Sequence, residues 1–170
     1  MTAKDLKANE YSPYYQTYID NTAALRLDSM RQNFDHQLAF LQDIPAEKQA
    51  YRYAADKWTV KEVVLHMIDT ERIFAYRALR IARQDKTPLA GFDQDQYVAP
   101  SKANERTLNS LLKEYITVKS GTITLFESFD HQMLMQIGTA SDFPISVRAL
   151  GFIIMGHENH HCDVLRERYL

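Results

Sequence analysis

Three of the six histidines in this 170-residue chain fall close together near the C-terminus, at His157, His160 and His161. The surrounding residues have the spacing of an amphipathic helix, in which each residue turns the chain by about 100°. On that helix His157 and His161 lie about 40° apart, within the apolar stripe, whereas His160 lies at its edge. Two imidazoles one helical turn apart offer two ligands to a metal ion. Histidine pairs of this spacing also occur in helices where both side chains only form hydrogen bonds, so the pair alone leaves both interpretations open.

A third ligand would have to come from His36, His66 or His131. His36 falls off the apolar stripe of its predicted helix and His131 lies in a connector, so both are predicted at the surface. His66 lies in the second turn of a predicted helix at the border of the apolar stripe, which suits a site that is open on one side. Three neutral imidazoles with a vacant coordination position fit zinc and similar divalent ions. Such an ion lowers the pKa of a bound water or thiol, so that a nucleophile exists at neutral pH.

Charged residues near these histidines could complete a site. Arg77 shares a helix face with His66 and could hold an anionic group of a substrate, although a surface arginine paired with an acid is equally compatible with the pattern. Carboxylates could orient the imidazoles by accepting their hydrogen bonds. The available acids are Asp69, Glu71, Asp93, Asp95 and Glu158. Their spacing does not choose among them, and each fits an ordinary solvated charge as well.

The composition is that of an ordinary globular protein, with 45% hydrophobic and 25% charged residues. The net charge of −2 argues against a nucleic-acid-binding protein, because such proteins bind phosphates through an excess of Lys and Arg. No apolar run approaches the length of a membrane span, and the first residues lack the apolar core of a signal peptide. Cys162 is the only cysteine, which excludes an intrachain disulfide and fits a reducing compartment. We therefore predict a cytoplasmic protein with neither a nucleic-acid nor a membrane partner.

Apolar residues recur at three- and four-residue spacings in four segments, which predicts four long helices. The helices cover about residues 22–43, 60–83, 105–129 and 145–170, with Thr22 as the first N-cap and Thr59 and Glu62 as a capping box before the second. Connectors of about 15, 21 and 15 residues separate them, which indicates an all-α four-helix bundle with a crossover connection. We predict a single domain over residues 1–170, in which residues 1–13 form a polar lead-in.

Three local features add to this prediction. Tyr14, Tyr15 and Tyr18 predict a short helix or cap that packs on the first long helix. Residues 84–104 are rich in turn-forming and polar residues, and a loop of that length is often functional. Gly121 lies inside the third helix, where glycine costs about 1 kcal/mol relative to alanine, so it indicates close helix packing.

Three motifs are similar to those of a known protein family. They are KWTVKEVVLHMIDTE at residues 57–71, GFDQDQY at residues 91–97 and GHENHH at residues 156–161. With these motifs in this order and separation, the chain resembles the DinB superfamily of four-helix metalloproteins. The branch it resembles includes YfiT-like metal-dependent hydrolases, and the resemblance covers about residues 25–170.

The resemblance implies a divalent metal held by one histidine of the second helix and a pair on the fourth. Position by position, these ligands are His66, His157 and His161, and a shifted set that uses His160 is disfavoured by the helix phase. Members of the family include thiol-S-transferases that use bacillithiol or related low-molecular-weight thiols, and mycothiol-dependent isomerases. Many members pair as homodimers, so the resemblance also implies a homodimer here.

These observations lead to three alternative functions. The first is an enzyme in which His66, His157 and His161 hold zinc or nickel, with iron or manganese as alternatives. It would activate a thiol or water for transfer or hydrolysis on a small-molecule substrate, with residues 93–97 and Arg77 shaping the pocket and no catalytic residue yet assigned. The second is a non-catalytic, stress-associated module in which the metal only stabilises the bundle. The third is a protein that binds no metal and uses these histidines as hydrogen-bonded core residues.

Overall fold

The computed structural model describes residues 1–170 and contains seven α-helices and one small sheet. The helices are α1 (Gln16–Asp20), α2 (Met30–Gln42), α3 (Val60–Ala82), α4 (Gln94–Ser101), α5 (Leu108–Glu127), α6 (His131–Leu134) and α7 (Val147–Arg168). The strands are β1 (Ile137–Ala140) and β2 (Phe143–Ser146), which pair antiparallel. The four long helices α2, α3, α5 and α7 correspond to the four predicted ones. The predicted all-α fold is therefore confirmed.

The long helices do not pack in the order in which the chain visits them. Helix α2 packs against α5 and α7, and α3 packs against the same two helices. Helices α2 and α3 thus lie at opposite corners of the bundle, as do α5 and α7. The two connections that join these pairs must cross an end of the bundle, which confirms the predicted crossover.

The start of α3 follows directly from its sequence. The Glu62 N–H donates to Thr59 Oγ1 over 3.2 Å, and the Thr59 N–H donates to the Glu62 carboxylate over 2.7 Å. This is the predicted capping box, which satisfies two backbone donors that the first turn of the helix leaves free. Because α3 starts at a defined residue, the position of His66 in its second turn is defined as well.

The predicted start of the first long helix was wrong. Thr22 does not cap α2, because its hydroxyl donates to the Ile19 carbonyl over 2.8 Å and so closes the end of α1. Helix α2 begins only at Met30, after a short 3-10 turn at Leu27–Ser29. A threonine hydroxyl bonds a carbonyl three residues back as readily as it caps a following helix, and its sequence position does not distinguish the two.

Helix α4, helix α6 and the β-hairpin lie where the sequence predicted only connectors. Helix α4 occupies part of the predicted loop 84–104, and Asp93 caps it by accepting from the Asp95 N–H over 3.0 Å. Strands β1 and β2 form a hairpin closed by Ser141 and Asp142, which have φ angles of 52° and 66°. A two-residue turn with two positive φ angles matches the right-handed twist of the strands. Strands of four residues are too short to show a period in the sequence.

Helix α1 packs against α7, whereas the sequence predicted that this tyrosine-rich segment would pack on the first long helix. The contact requires Gly156, because a Cβ at that position would overlap the Tyr18 carbonyl group. Gly121, which the sequence marked as a close packing point, has open space where a Cβ would lie. The glycine at which α1 approaches α7 closely is therefore the one directly before His157.

No helix is both long and apolar enough to span a bilayer.

Candidate metal centre

The structure brings His66 of α3 together with His157 and His161 of α7. The Nε2 atom of His157 lies 3.0 Å from Nε2 of His66 and 3.1 Å from Nε2 of His161. The ligand atoms of all three histidines lie within 4.8 Å of one another. His66 and His157 are buried and His161 is half-buried. Three imidazole nitrogens thus converge on one point between two helices.

Hydrogen bonding among the imidazoles does not account for this arrangement. A neutral imidazole nitrogen carries either one proton or one lone pair, so Nε2 of His157 can pair well with only one of its two neighbours. Burial lowers the pKa of His66 to about 4. Burial, and then the neighbouring imidazoles, hold the pKa values of His157 and His161 well below the ordinary range. All three rings are therefore neutral at pH 7, and their lone pairs can face a shared cation.

No fourth histidine, cysteine or carboxylate joins this group. His160 stays outside it, with its ring 5.2 Å from the His161 ring and 5.5 Å from the Tyr18 ring. His36 and His131 are exposed, as the sequence predicted. A metal ion held by the three histidines alone would keep at least one coordination position for another molecule.

The residues packed around the histidines are mostly aromatic. The Trp58 ring lies 4.8 Å from the His66 ring, and the Tyr18 ring lies 5.2 Å from the His157 ring. The Thr70 hydroxyl, one turn along α3, lies 3.4 Å from Nδ1 of His66. If that nitrogen carries the proton, Nε2 keeps its lone pair for the shared point. Thr70 follows His66 by four residues, so the two side chains lie on one face of α3.

None of the five acids that the sequence offered as partners forms a hydrogen bond with these histidines. Two of them instead flank a buried lysine behind the site: Lys119 Nζ of α5 lies 2.6 Å from Glu71 and 3.1 Å from Glu158. Tyr115 donates a hydrogen bond to Glu158, and Asn33 donates another over 2.8 Å. Asn33 and Tyr115 both bond Glu158, whereas Glu71 meets only Lys119 and its Oε1 has no hydrogen-bond partner. Burial therefore raises the pKa of Glu71, and one cation serves two buried acids.

The buried charges could have been found from helical spacing. Lys119 follows the buried residue Tyr115 by four residues, so it falls on the same core-facing side of α5. Glu71 follows the core residue Met67 by four, and Glu158 follows Ile154 by four. Three charged residues at core positions of three different helices signal a buried ionic cluster, but only when the helices are known to meet.

A cavity of about 540 Å³ opens beside His157. Its wall is rich in aromatic rings and hydroxyl groups from α1, α3, the segment before α4 and the β-hairpin. The lining residues are Ser12, Tyr14, Tyr15, Tyr18, Thr70, Phe74, Gly91, Phe92, Asp93, Gln94, Asp95, Ala140, Ser141, Phe143 and His157. The volume suits a small organic molecule. The sequence had predicted that residues 93–97 shape a pocket, and Asp93 and Asp95 do line this cavity.

Arg77 does not lie on the surface and has no acidic partner. Its side chain is 1% exposed, and Nη2 donates to the Ala90 carbonyl over 2.7 Å and to Ser141 Oγ over 3.0 Å. The interpretation as an exposed arginine in a salt bridge was therefore wrong. Arg77 instead ties the segment before α4 to the β-hairpin, and these two elements supply much of the cavity wall.

The fold and the three converging histidines define a four-helix-bundle protein with a candidate metal centre. The chain belongs to the DinB superfamily, whose family profile matches residues 26–165. Among solved structures it is similar to YfiT from Bacillus subtilis, which is described as "a probable metal-dependent hydrolase with an unusual four-helix bundle topology". The two structures align with a TM-score of 0.72 at 13% identity, over 95% of this chain and 90% of the other. A search of curated proteins found no match.

Proposed function

We propose that His66, His157 and His161 bind one divalent metal ion and that this centre is the active site of an enzyme acting on a small molecule. The observation that carries the proposal is the position of His157 Nε2, which lies 3.0 Å and 3.1 Å from two other Nε2 atoms that it cannot both pair with. A cation shared by three lone pairs resolves that conflict. Imidazole ligands favour zinc or nickel, with iron and manganese as alternatives.

The surrounding residues prepare this centre for catalysis. When bound, the ion supplies Lewis acidity and makes a water or thiol nucleophilic at neutral pH. Trp58 and Tyr18 cover the imidazoles and limit the access of solvent to them, while the cavity beside His157 gives a substrate a path to the open side. The walls of the cavity hold the substrate in place, which supplies part of the rate enhancement by positioning.

The reaction is a hydrolysis or a transfer from a low-molecular-weight thiol. The description of YfiT as a probable metal-dependent hydrolase supports the first. The resemblance to the thiol-S-transferases of the superfamily supports the second. A purely structural metal site would be closed by a fourth protein ligand. The absence of a fourth His, Cys, Asp or Glu from the group, together with the cavity, favours the enzyme over the non-catalytic module.

Metal analysis tests the site. Protein purified without a histidine tag is expected to contain about one equivalent of metal. His66→Ala and His157→Ala should each lose it, whereas His160→Ala should keep it because His160 lies outside the group. Equal metal content in the wild type and all three variants would contradict the proposed ligands, and the absence of metal from every protein would remove the site.

Activity is tested on metal-loaded and chelator-treated protein with two panels of probes. One panel consists of activated esters such as 4-nitrophenyl acetate, and the other of small thiols offered with an aromatic electrophile. We expect turnover in one panel that requires the metal and is lost in His157→Ala. If the wild type binds metal but turns over neither panel, the non-catalytic module is the better interpretation.

A further inference from the structure

Arg77 is a buried cation for which the protein supplies no counter-ion. Its hydrogen-bond acceptors are the Ala90 carbonyl and the Ser141 hydroxyl, both neutral, and Nη1 has no partner at all. The Phe74 and Phe92 rings lie 5.8 Å from the guanidinium carbon and offset only a small part of its charge. Arginine stays protonated in proteins, and burying an unpaired charge is costly. An anion bound from outside the chain would offset the cost of burying this charge.

The groups that surround Arg77 also line the cavity beside His157. Tyr15, Phe74, Phe92 and Ser141 belong to its wall. Ser141 Oγ accepts from Arg77, which leaves its own O–H free to donate to another molecule. The Arg77 guanidinium also stands beside the Tyr15 hydroxyl, where it offsets part of the rise in pKa that burial causes. The cavity wall therefore has two hydroxyl donors, and the positively charged Arg77 guanidinium lies next to both.

The other charged residues of the cavity wall weaken the positive potential of Arg77 only a little. Asp93 and Asp95 are exposed, so water and salt screen them, whereas the charge of Arg77 is buried at low dielectric. The Asp93 carboxylate is also engaged, because it accepts from the Asp95 N–H over 3.0 Å and from the Gln96 side chain over 2.9 Å. The rest of the wall is mainly aromatic. The cavity thus offers a flat apolar surface and one focused site of positive potential.

We propose that this cavity binds a small carboxylate-bearing molecule with an aromatic or apolar body. The Ser141 and Tyr15 hydroxyls donate to the carboxylate, Arg77 supplies the counter-charge, and Phe74, Phe92 and Tyr18 contact the body. The cavity reaches His157, so the ligand lies beside the three-histidine centre. Only the description of this ligand as a substrate rests on the proposed function, since the binding itself requires no metal.

The test uses 4-fluorobenzoate and its neutral isostere 4-fluorobenzamide, whose binding to the full chain is followed by ¹⁹F NMR. Chelator-treated protein is used first, so that the carboxylate cannot bind a metal ion. We expect benzoate to bind at least tenfold more tightly than benzamide. Arg77→Met should remove that preference, so that the variant binds benzoate no more tightly than benzamide. Tyr15→Phe and Ser141→Ala each remove one hydroxyl and should each weaken benzoate binding about three- to tenfold, even if Arg77→Met proves poorly folded.

Arg80→Met is the matched control, because Arg80 lies on the same helix but is paired with Asp85 at the surface. Arg77 and Arg80 also line a second cavity of about 380 Å³, whose wall shares Gly91 and Phe92 with the first. Loss of benzoate binding in Arg80→Met with no change in Tyr15→Phe and Ser141→Ala would overturn the assigned cavity. Equal affinity for benzoate and benzamide in the wild type would overturn the proposal itself. Benzoate binding by protein that holds no metal would support the anion site even if the metal proposal failed.

Discussion

The carboxylate of Glu158 lies 3.1 Å from the ammonium group of Lys119, and Glu158 directly follows His157 along α7. The face of α7 about 100° around the helix from His157 is thus tied to α5 by a buried ion pair. Lys119 also lies 2.6 Å from Glu71 of α3. One lysine therefore connects α5 to both helices that carry the converging histidines. These contacts help to fix the rotation of α3 and α7 about their own axes.

Removal of Lys119 is expected to destabilise the protein by about 3–5 kcal/mol, because it leaves two buried carboxylates without their cation. The change to make is Lys119→Met, which keeps the volume of the side chain. Urea unfolding at pH 7 measures the free energy of unfolding. Lys113→Met on the exposed face of α5 is the control and should change stability by less than about 0.5 kcal/mol. A Lys119→Met protein as stable as the control would contradict the role of the ion cluster.

Glu10 and Arg148 form a second buried pair, which should make stability depend on pH. Burial raises the pKa of Glu10, but hydrogen bonds from Arg148, Ser146 and the Lys7 N–H outweigh it, and the folded pKa is lowered. The folded state therefore binds fewer protons than the unfolded one, so stability is full above the unfolded pKa of about 4.3 and falls as pH drops through the folded pKa.

Glu10→Gln should be about 2 kcal/mol less stable than the wild type at pH 7, since it loses hydrogen bonds to a charged group. Urea unfolding between pH 7 and pH 3 should show this difference shrinking toward acid pH. Glu47→Gln, at an exposed position, provides the baseline. A difference that stays constant over the whole range would show that ionised Glu10 does not stabilise the fold.

The same substitution, Gly→Ala, should lower the stability of the protein at one glycine and raise it at another. Gly156→Ala places a Cβ against the Tyr18 carbonyl, so it should displace α1 from α7 and destabilise the protein by about 1–3 kcal/mol or more. Gly121→Ala meets nothing and should stabilise α5 by about 0.5–1 kcal/mol. Thermal unfolding distinguishes the two. If both variants melt at the same temperature, the close approach of α1 to α7 is not as described.

Metal binding should stabilise the fold by mass action, because the three histidines meet only in the folded protein. Zinc at about 100 times its dissociation constant should add about 2.7 kcal/mol to the free energy of unfolding. Thr70→Val, which removes the hydroxyl beside His66, should weaken zinc affinity by up to about tenfold. Thermal melts with and without zinc measure both effects. His157→Ala is the control and should show no zinc-dependent shift.

Helical spacing was sufficient to predict much of this protein. The apolar stripes identified the four long helices, and the capping box at Thr59 and Glu62 fixed the start of α3 to the residue. The same spacing placed His157 and His161 on one face of α7 and selected His66 as their partner. These features depend on residues that are near one another along the chain, so their geometry follows from the regular turn of a helix.

Only the tertiary structure decided which helices are neighbours. The packing of α5 between α2 and α3 brings Lys119 to Glu71 and Glu158, which read as solvated charges in the sequence. The pairing of the segment before α4 with the β-hairpin buries Arg77 and shapes the cavity. Such contacts join residues dozens of positions apart, and they depend on loop closure and on the fit of whole faces rather than on local spacing. The histidines could be found from their own helices, but the chemistry around them exists only after the bundle has assembled.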